Sequence, residues 1–308
     1  MKFRTELNIL PSTFKINHQS KIMAMGSCFV DNVGNRLKDL KFKIDINPFG
    51  IIFNPYSIAK LLDEHSEFNT DFVERDGTFY GFDFHSKFNA KSKKALLTKI
   101  NSTNKKTSQS LLNANVLMLT FGTAWVYKQK TSTQVVSNCH KVPQQHFTKY
   151  ILNLEHLKKT YTTLFKNILS SNSTLKIVLT VSPVRHLKDG FIENNQSKAV
   201  LLLLCRYLAD EFPNNVIYFP AYEIVMDDLR DYRFYKQDLI HPNRQAIDYI
   251  FEKFSATFFD KETIDVLPKI MQLNALKQHQ FFNANEQQIK HHQSKIIELE
   301  NYINSTIH

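Results

Sequence analysis

Residues 21–40 of the chain read KIMAMGSCFVDNVGNRLKDL. Residues 22–25 form a continuous apolar run, which is typical of a buried strand, and apolar residues then recur at helical spacing across residues 29–40. Gly26 and Ser27 stand at the junction between the two patterns. A strand that leads through a short turn into a helix is the unit from which parallel α/β sheets are built. The stretch therefore predicts an α/β fold with a serine at the carboxyl end of a strand.

Strands and helices alternate again downstream of this unit. Residues 116–121, 175–181 and 216–219 are apolar runs followed by glycine, serine or proline, and helical periodicity covers residues 152–169 and 197–212. This alternation predicts a parallel sheet covered by helices on both faces. Ligands of such sheets bind in the loops at the carboxyl ends of the strands. We therefore expect the functional site beside the serine of the first unit.

Two parts of the chain depart from this alternation. Residues 51–110 predict an insertion, in which residues 79–88 resemble a short hairpin over the site and the lysine-rich residues 87–106 form a solvated excursion. The last part of the chain is rich in Gln, Asn, His and Lys and carries an amphipathic helical pattern. We predict a main domain over residues 1–260 and a helical appendage over residues 261–308, through which a homo-oligomer could form.

The composition argues against several classes of protein. With 43% hydrophobic residues among 308, the chain can form a stable core without disulfide or metal cross-links. No apolar run reaches the roughly 18 residues of a membrane span. The N-terminus lacks the apolar stretch of a signal peptide, and three cysteines do not make a disulfide framework. The lysines behind the net charge of +10 are mostly dispersed and no nucleic-acid-binding motif accompanies them. We expect a cytoplasmic protein with no membrane partner and no nucleic-acid partner; a basic nucleic-acid-associated protein is the alternative.

Ser27 is the first candidate catalytic residue. A helix that begins just after it leaves free N–H groups and a positive dipole end beside the hydroxyl. Such donors would stabilise the oxyanion that forms when the hydroxyl attacks a carbonyl carbon. The alternative is that Ser27 only caps the helix, a position for which serine is preferred in any case.

Asp238 and His241, in the sequence Asp-Leu-Ile-His-Pro, are the candidate partners of that serine. A spacing of three residues lets the carboxylate accept the Nδ1 proton of the histidine, which leaves Nε2 free to take a proton from the serine. A serine hydroxyl is a weak nucleophile and needs such a base, held by an orienting group. The alternative is a surface turn in which Asp238 or Asn243 caps a helix that starts near Arg244.

Six short motifs are spread in order over residues 21–258. They are Gly26-Ser27-Cys28-Phe29, Asn47-Pro48-Phe49-Gly50, Phe121-Gly122-Thr123-Ala124-Trp125-Val126-Tyr127, Asn138-Cys139-His140-Lys141, Thr180-Val181-Ser182-Pro183-Val184-Arg185-His186 and Asp238-Leu239-Ile240-His241-Pro242. Their content and order resemble the GSCFA family, a bacterial group placed with the SGNH (GDSL-like) hydrolases. Val30 stands where the family's name has alanine, a small departure.

The resemblance implies a flavodoxin-like three-layer α/β/α sandwich. In this family's pattern Ser27 matches the nucleophile, His241 the base and Asp238 its partner. The expected activity is hydrolysis of an ester, such as an acetyl or other small acyl group on a carbohydrate or metabolite, without a metal or organic cofactor. The alternative is a catalytically weak domain of the same fold that binds a carbohydrate or a protein partner.

The resemblance also implies an oxyanion hole that includes a backbone N–H near Ser27 and the N–H of Gly50. The third motif departs from the superfamily pattern, since many relatives carry Gly-x-Asn-Asp where this chain has Gly122, Thr123, Ala124 and Trp125. The side-chain amide that usually completes the oxyanion hole is therefore missing from its place. We expect Asn138, from the following loop, to supply it.

Five further residues are candidates for substrate binding. Arg185 and His186, at the carboxyl end of a predicted strand, could orient an anionic or polyol substrate, and a structural ion pair is the alternative. Trp125 could form an aromatic wall for a sugar ring, and core packing is the alternative. His85 could reach over the pocket from the insertion, and His140 lies in the motif that carries Asn138.

The cysteines near these motifs allow two other interpretations. Cys28 at a helix N-terminus could be a thiolate nucleophile, and Cys28, Cys139 and His140 could bind zinc. The chain has no Cys-x-x-Cys pair, and Cys28 lies beside a better-supported serine. We expect both cysteines to pack as small apolar residues under the site, and we expect no metal.

Overall fold

Eleven strands lie in the part of the chain that the computed structural model describes, residues 4–68, 70–282 and 285–307. In chain order they are β1 (Lys21–Gly26), β2 (Lys43–Ile46), β3 (Phe72–Arg75), β4 (Thr78–Gly81), β5 (Asn89–Ala90), β6 (Val116–Phe121), β7 (Trp125–Gln129), β8 (Val135–Val136), β9 (Phe147–Ile151), β10 (Lys176–Val181) and β11 (Val216–Tyr218). Five of them form one parallel sheet in the order β11-β10-β6-β1-β2. The parallel sheet expected from the apolar runs is confirmed.

Helices precede or follow these strands. Within the described residues, the helices are α1 (Cys28–Asp39), α2 (Pro55–Leu62), α3 (Lys93–Leu112), α4 (Leu154–Ser171), α5 (Phe191–Glu211), α6 (Ala221–Glu223), α7 (Arg244–Phe258), α8 (Lys261–Gln278) and α9 (Glu286–Ile307). A π-helical turn, Ile224–Leu229, continues α6, and short 3-10 turns occur at Gln144–His146, Leu187–Asp189 and Tyr232–Phe234.

The two faces of the parallel sheet bury different helices, because successive side chains of a strand point to opposite faces. On β1, Met23 and Met25 belong to an apolar cluster that includes residues of α2, α3, α4 and α5. Ile22 and Ala24 belong to a second cluster, formed with residues of α1, α7, α8 and α9. Two helical layers therefore enclose one sheet, which confirms the flavodoxin-like three-layer α/β/α sandwich.

The carboxyl ends of the three central strands lie level with one another. Gly26 of β1 pairs with Thr120 of β6, and Thr120 pairs with Thr180 of β10. The residues that follow these three positions therefore leave the sheet along the same edge. Ser27 is the first of them on β1.

The insertion over residues 51–110 contains α2, α3 and a small antiparallel sheet. β3 and β4 form a hairpin around Asp76 and Gly77, and β5 pairs with β4. Most of the lysine-rich residues 87–106 are exposed, as the solvated excursion expected, but the greater part of the stretch is helical, which was not predicted. Polar residues separate the apolar ones so widely that the periodicity was missed, although the buried positions Leu96, Ile100, Thr107 and Leu111 share one helix face. A second antiparallel sheet, β8-β7-β9, was not predicted.

Two helices, α8 and α9, make up the C-terminal part, as the amphipathic pattern indicated. Leu299, Ile303 and Ile307 of α9 are buried in the cluster that α1 and α7 also line. The division at residue 260 and a homo-oligomer through this region stay predictions, and residues 1–3, 69, 283–284 and 308 lie outside the described residues. Within the described ranges, every helix is too short or too polar to cross a bilayer.

Candidate active site

Ser27 lies in the turn between β1 and α1. Its backbone is extended and its Oγ accepts a hydrogen bond from Phe29 N–H at 3.3 Å, so the side chain caps α1. The residue is only 2% exposed, and its own N–H donates to Thr120 O. Gly26 has φ +148°, and a Cβ on it would lie 2.3 Å from Thr120 O, so no larger residue fits there. Ser27 therefore caps the helix, as the alternative interpretation expected, and its hydroxyl lies at the carboxyl end of β1.

Asp238 and His241 form a hydrogen-bonded pair. His241 Nδ1 lies 2.8 Å from Asp238 Oδ2, while Asp238 Oδ1 accepts the N–H groups of Ile240 and His241 at 2.9 Å each. Leu239 between them has a left-handed backbone, with φ 56°, which folds the carboxylate back onto the ring. This is the contact that the three-residue spacing predicts. It uses Nδ1 of the histidine, so Nε2 is not part of it.

The Asp238 carboxylate is held in its ionised form. The backbone N–H groups of His241 and Ile240, followed by the His241 ring, lower the pKa of Asp238 to about 2. A carboxylate in this state accepts the Nδ1 proton and so fixes Nε2 as the basic nitrogen.

Several hydrogen bonds hold the histidine loop, residues 235–243, in place. Lys236 N–H donates to His241 O at 2.8 Å, and Arg185 N–H donates to Ile240 O at 3.2 Å. The second of these bonds holds the loop against the chain that leaves β10. Asn243 Oδ1 accepts Ala246 N–H at 3.0 Å, so Asn243 is the cap of α7 that the alternative interpretation had allowed.

Gly50 lies in a turn that is linked through Asn47 to Gly26, the residue before Ser27. Its N–H donates to Asn47 O at 2.8 Å, and Asn47 in turn accepts Gly26 N–H through Oδ1 and donates to Asp31 through Nδ2. A Cβ on Gly50 would lie 2.5 Å from the Cβ of His85, so the insertion does bring His85 over this turn. The Gly50 N–H already has an acceptor in this arrangement, and its part in an oxyanion hole stays a prediction.

Asn138 and His140 lie on the loop after β8. The amide Nδ2 of Asn138 donates to Ser86 Oγ at 3.1 Å, and its Oδ1 accepts His140 N–H. His140 is 3% exposed, and its Nε2 lies 2.8 Å from Gly81 O. The His140 ring is thus covered, and contact with a substrate would require it to move. The role of Asn138 stays a prediction.

Trp125 is half-buried at the start of β7. Its Nε1 donates to Glu193 O at 3.0 Å, and the Lys149 ammonium lies 4.9 Å from the ring centroid. These contacts fit the packing alternative, while the exposed part of the ring leaves the wall for a sugar as a prediction.

A buried lysine is the main feature of the site that sequence reasoning missed. Lys198 of α5 is 2% exposed, and its Nζ donates to Gly122 O and Ser182 O at 2.7 Å each. These carbonyls follow the paired ends of β6 and β10, so the amine joins the two loops that leave the sheet there. Burial lowers the pKa of Lys198 to about 7. A neutral amine still has one N–H for each carbonyl, so the link is available in both protonation states.

His186, which the sequence offered together with Arg185 as a residue that could orient a substrate, lies beside this lysine. Its Nε2 would be 3.2 Å from a Cβ on Gly122, is covered, and has no hydrogen-bond partner among the described residues. Burial, followed by the charges of Lys198 and His241, lowers the pKa of His186 to about 3. The ring is therefore neutral. The position of Lys198 directly before the apolar run of residues 199–205 was the signal in the sequence that could have drawn attention to this lysine.

The surroundings of Cys28 and Cys139 disfavour the thiolate form of both side chains. Burial raises the pKa of the Cys28 thiol and raises that of Cys139 to about 11, which disfavours both thiolates. Among the residues that the structure describes, no three His, Cys, Asp or Glu side chains are grouped to hold a metal ion.

We expect Lys198 to make stability depend on pH. Unfolded lysine has its ordinary pKa of 10.5, whereas the folded value is about 7, so between these pH values only the unfolded chain binds this proton. The free energy of unfolding, relative to Lys198→Met, should therefore rise with pH in this window by up to about 1.4 kcal/mol per pH unit. Urea unfolding of both proteins between about pH 6 and 10 measures it.

Lys94→Met, at an exposed position of α3, is the matched control for the loss of a lysine. Its difference from wild type should stay nearly constant over the same pH range. A constant difference for Lys198→Met as well would mean that the buried amine keeps its ordinary pKa.

Comparison with known proteins agrees with the motifs. A model of the GSCFA family matches residues 21–254 of the chain. Structures that align with it include a carbohydrate esterase family 3 from Talaromyces cellulolyticus, at TM-score 0.35 and 10% identity over 83% of this chain and 98% of that chain. Another is the family 3 carbohydrate esterase of Clostridium thermocellum, at TM-score 0.35 and 12% identity over 81% and 97%. Scores this low transfer neither reaction nor substrate. No match was found among curated protein sequences.

Proposed function

Given that the chain belongs to the GSCFA family, we propose that it is a serine hydrolase that cleaves an ester. The acyl group would be acetyl or another small group, carried by a carbohydrate or a metabolite. The observation that supports this most is the Asp238–His241 pair, whose 2.8 Å hydrogen bond orients a histidine on a loop at the carboxyl edge of the sheet. Ser27 begins its helix at the same edge.

In the proposed reaction, Ser27 Oγ attacks the acyl carbon while His241 Nε2 takes the hydroxyl proton. The tetrahedral oxyanion then collapses, the bond to the alcohol oxygen breaks, and His241 returns the proton to that oxygen. A water molecule attacks the resulting acyl-serine with His241 again as base, and the acid leaves as Ser27 regains its proton. Asp238 orients the imidazole and stabilises its charged form without taking the proton.

The oxyanion would need donors close to Ser27. Cys28 N–H belongs to the first turn of α1, where amides have no acceptor within the helix, and it is the nearest backbone candidate. The buried charge of Lys198, which also acts on Cys28, would favour negative charge at this edge whenever the amine is protonated.

We expect Asn138→Ala to lower kcat by about a hundredfold or more with little change in KM, because an oxyanion contact forms mainly in the transition state. Steady-state kinetics on p-nitrophenyl acetate measure the effect. Ser86→Ala is the matched control, since it removes only the current partner of the Asn138 amide. A kcat within about threefold of wild type for Asn138→Ala would exclude this donor.

Covalent labelling tests the proposed function directly. A fluorophosphonate probe reacts with an activated serine, and peptide mass spectrometry of the labelled protein should place the adduct on Ser27. Denatured protein is the control, because the reaction requires the folded site. Labelling of no serine, together with no release of p-nitrophenol from p-nitrophenyl acetate, would exclude a serine hydrolase.

One alternative has an observation in its favour. Ala124 replaces the amide of the third motif, and the Gly50 N–H is bonded to Asn47 O. A catalytically weak domain of this fold, binding a carbohydrate or a protein partner, would tolerate such a reduced oxyanion hole. The same labelling experiment separates it from the enzyme.

A further inference from the structure

Arg185 lies beside the histidine loop with most of its donors unused. Its backbone N–H donates to Ile240 O, and its Nη1 donates weakly to Leu239 O at 3.4 Å. A guanidinium has five N–H donors. Among the described residues, no ion pair includes Arg185, so the structural ion pair considered from the sequence is absent from that part of the chain. The charge lies next to His241 without a carboxylate partner.

Three aromatic rings surround this charge. The Arg185 Cζ lies 5.2 Å from the ring centroid of Phe191 and 5.7 Å from those of Tyr232 and Tyr235. Phe191 is 62% exposed and Tyr232 is 61% exposed, so both rings face solvent beside the charge. The rings hold the planar guanidinium in place while its outer edge stays available. The arrangement offers an oriented cation within an apolar rim.

Two carboxylates that flank Tyr232 and Tyr235 in the sequence have other partners. The Asp238 carboxylate is used by His241 and by two backbone N–H groups, and Asp231 is paired with Arg233. Lys236 adds positive charge close enough to act on Cys28. Among the described ion pairs, none therefore neutralises the charge of Arg185 beside the histidine.

We propose that Arg185 binds an anionic group, a carboxylate or a phosphate, on the alcohol part of the ester. The inference rests on the proposed function, since it assigns a substrate class to the same site. The alcohol part is chosen because His241 must return a proton to the alcohol oxygen, so this half of the substrate leaves on the histidine's side. Arginine matches planar oxyanions with two parallel hydrogen bonds, and the exposed rings of Phe191 and Tyr232 would cover the apolar face of the same group.

Three acetyl esters test this proposal: para-acetoxybenzoate, para-acetoxyphenyl phosphate and the neutral methyl para-acetoxybenzoate. Wild type should show a higher kcat/KM for at least one anionic ester than for the neutral one, and the better anion identifies carboxylate or phosphate. Arg185→Gln should lower kcat/KM for that anion by about tenfold to a hundredfold and leave the neutral ester nearly unchanged. Arg185→Lys should restore part of the loss, because it keeps the charge but not the planar fork.

Arg233→Gln is the matched control, since Arg233 is exposed and already paired with Asp231. It should leave the preference for the anion intact. Equal losses on all three esters in Arg185→Gln, or no preference for either anion in wild type, would overturn the proposal.

The proposal can also be tested if the protein hydrolyses none of the esters. Binding of para-hydroxybenzoate, para-hydroxyphenyl phosphate and methyl para-hydroxybenzoate can be measured by calorimetry on wild type and Arg185→Gln. Binding of an anion that depends on Arg185, without turnover, would support the anion site while the hydrolase proposal fails. Binding that is equal for wild type and Arg185→Gln, or absent, would overturn the anion site by itself.

Discussion

Replacing Ser27 with alanine is expected to abolish ester hydrolysis, with kcat lowered by about ten-thousandfold or more, because the acyl-enzyme can no longer form. Release of p-nitrophenol from p-nitrophenyl acetate measures the loss. Since Ser27 also caps α1, the alanine should cost about 1 kcal/mol of stability in addition. Ser27→Gly separates the two effects, because glycine is tolerated at a cap but has no hydroxyl.

Cys28→Ala is the matched control at the next position. Its thiol is half-buried with a raised pKa, so most of the activity should remain. An active Ser27→Gly protein combined with an inactive Cys28→Ala protein would reassign the nucleophile to the thiol.

His241→Ala should lower kcat by a similar factor and remove the dependence of activity on pH below neutrality. Wild-type activity should fall in acid, because only a neutral imidazole accepts the serine proton. Asp238 has a pKa of about 2, so it stays ionised over the measured pH range and causes no change of activity with pH there. A pH–rate profile of kcat/KM measures both expectations.

Lys198, with a pKa of about 7, also changes its protonation state near neutrality. Lys198→Met therefore serves as the control that assigns the limb: the rise with pH should persist in it and vanish in His241→Ala. If activity still rises with pH in His241→Ala, or if the wild-type profile is flat, His241 is not the general base.

The central sheet could be predicted because its strands are buried on both faces. Such strands appear as continuous apolar runs, and β1, β6 and β10 are of this kind. β2 was missed because it lies at the edge of the sheet and alternates exposed with half-buried residues over only four positions. The small strands β7, β8 and β9 were missed for a related reason, since their pairing is set by contacts between distant segments.

The candidate site divides in the same way. The Asp238–His241 contact is local, spans three residues, and could be derived from the spacing alone. The links made by Lys198 join residues far apart along the chain, 76 positions in the case of Gly122. No local pattern reports such a contact, and a buried lysine differs from a surface lysine only in what surrounds it.

The two edge strands of the parallel sheet affect whether the protein aggregates at high concentration. An edge strand exposes unpaired N–H and C=O groups to which a strand of another molecule can add, the first step of many aggregates. β2 forms one edge and places the exposed side chains of Lys43 and Asp45 along it, and β11 forms the other edge with only three residues. A charged edge and a very short edge both disfavour strand addition. Self-association of this chain is therefore expected to involve helical surfaces, and the open sheet need not lead to fibres.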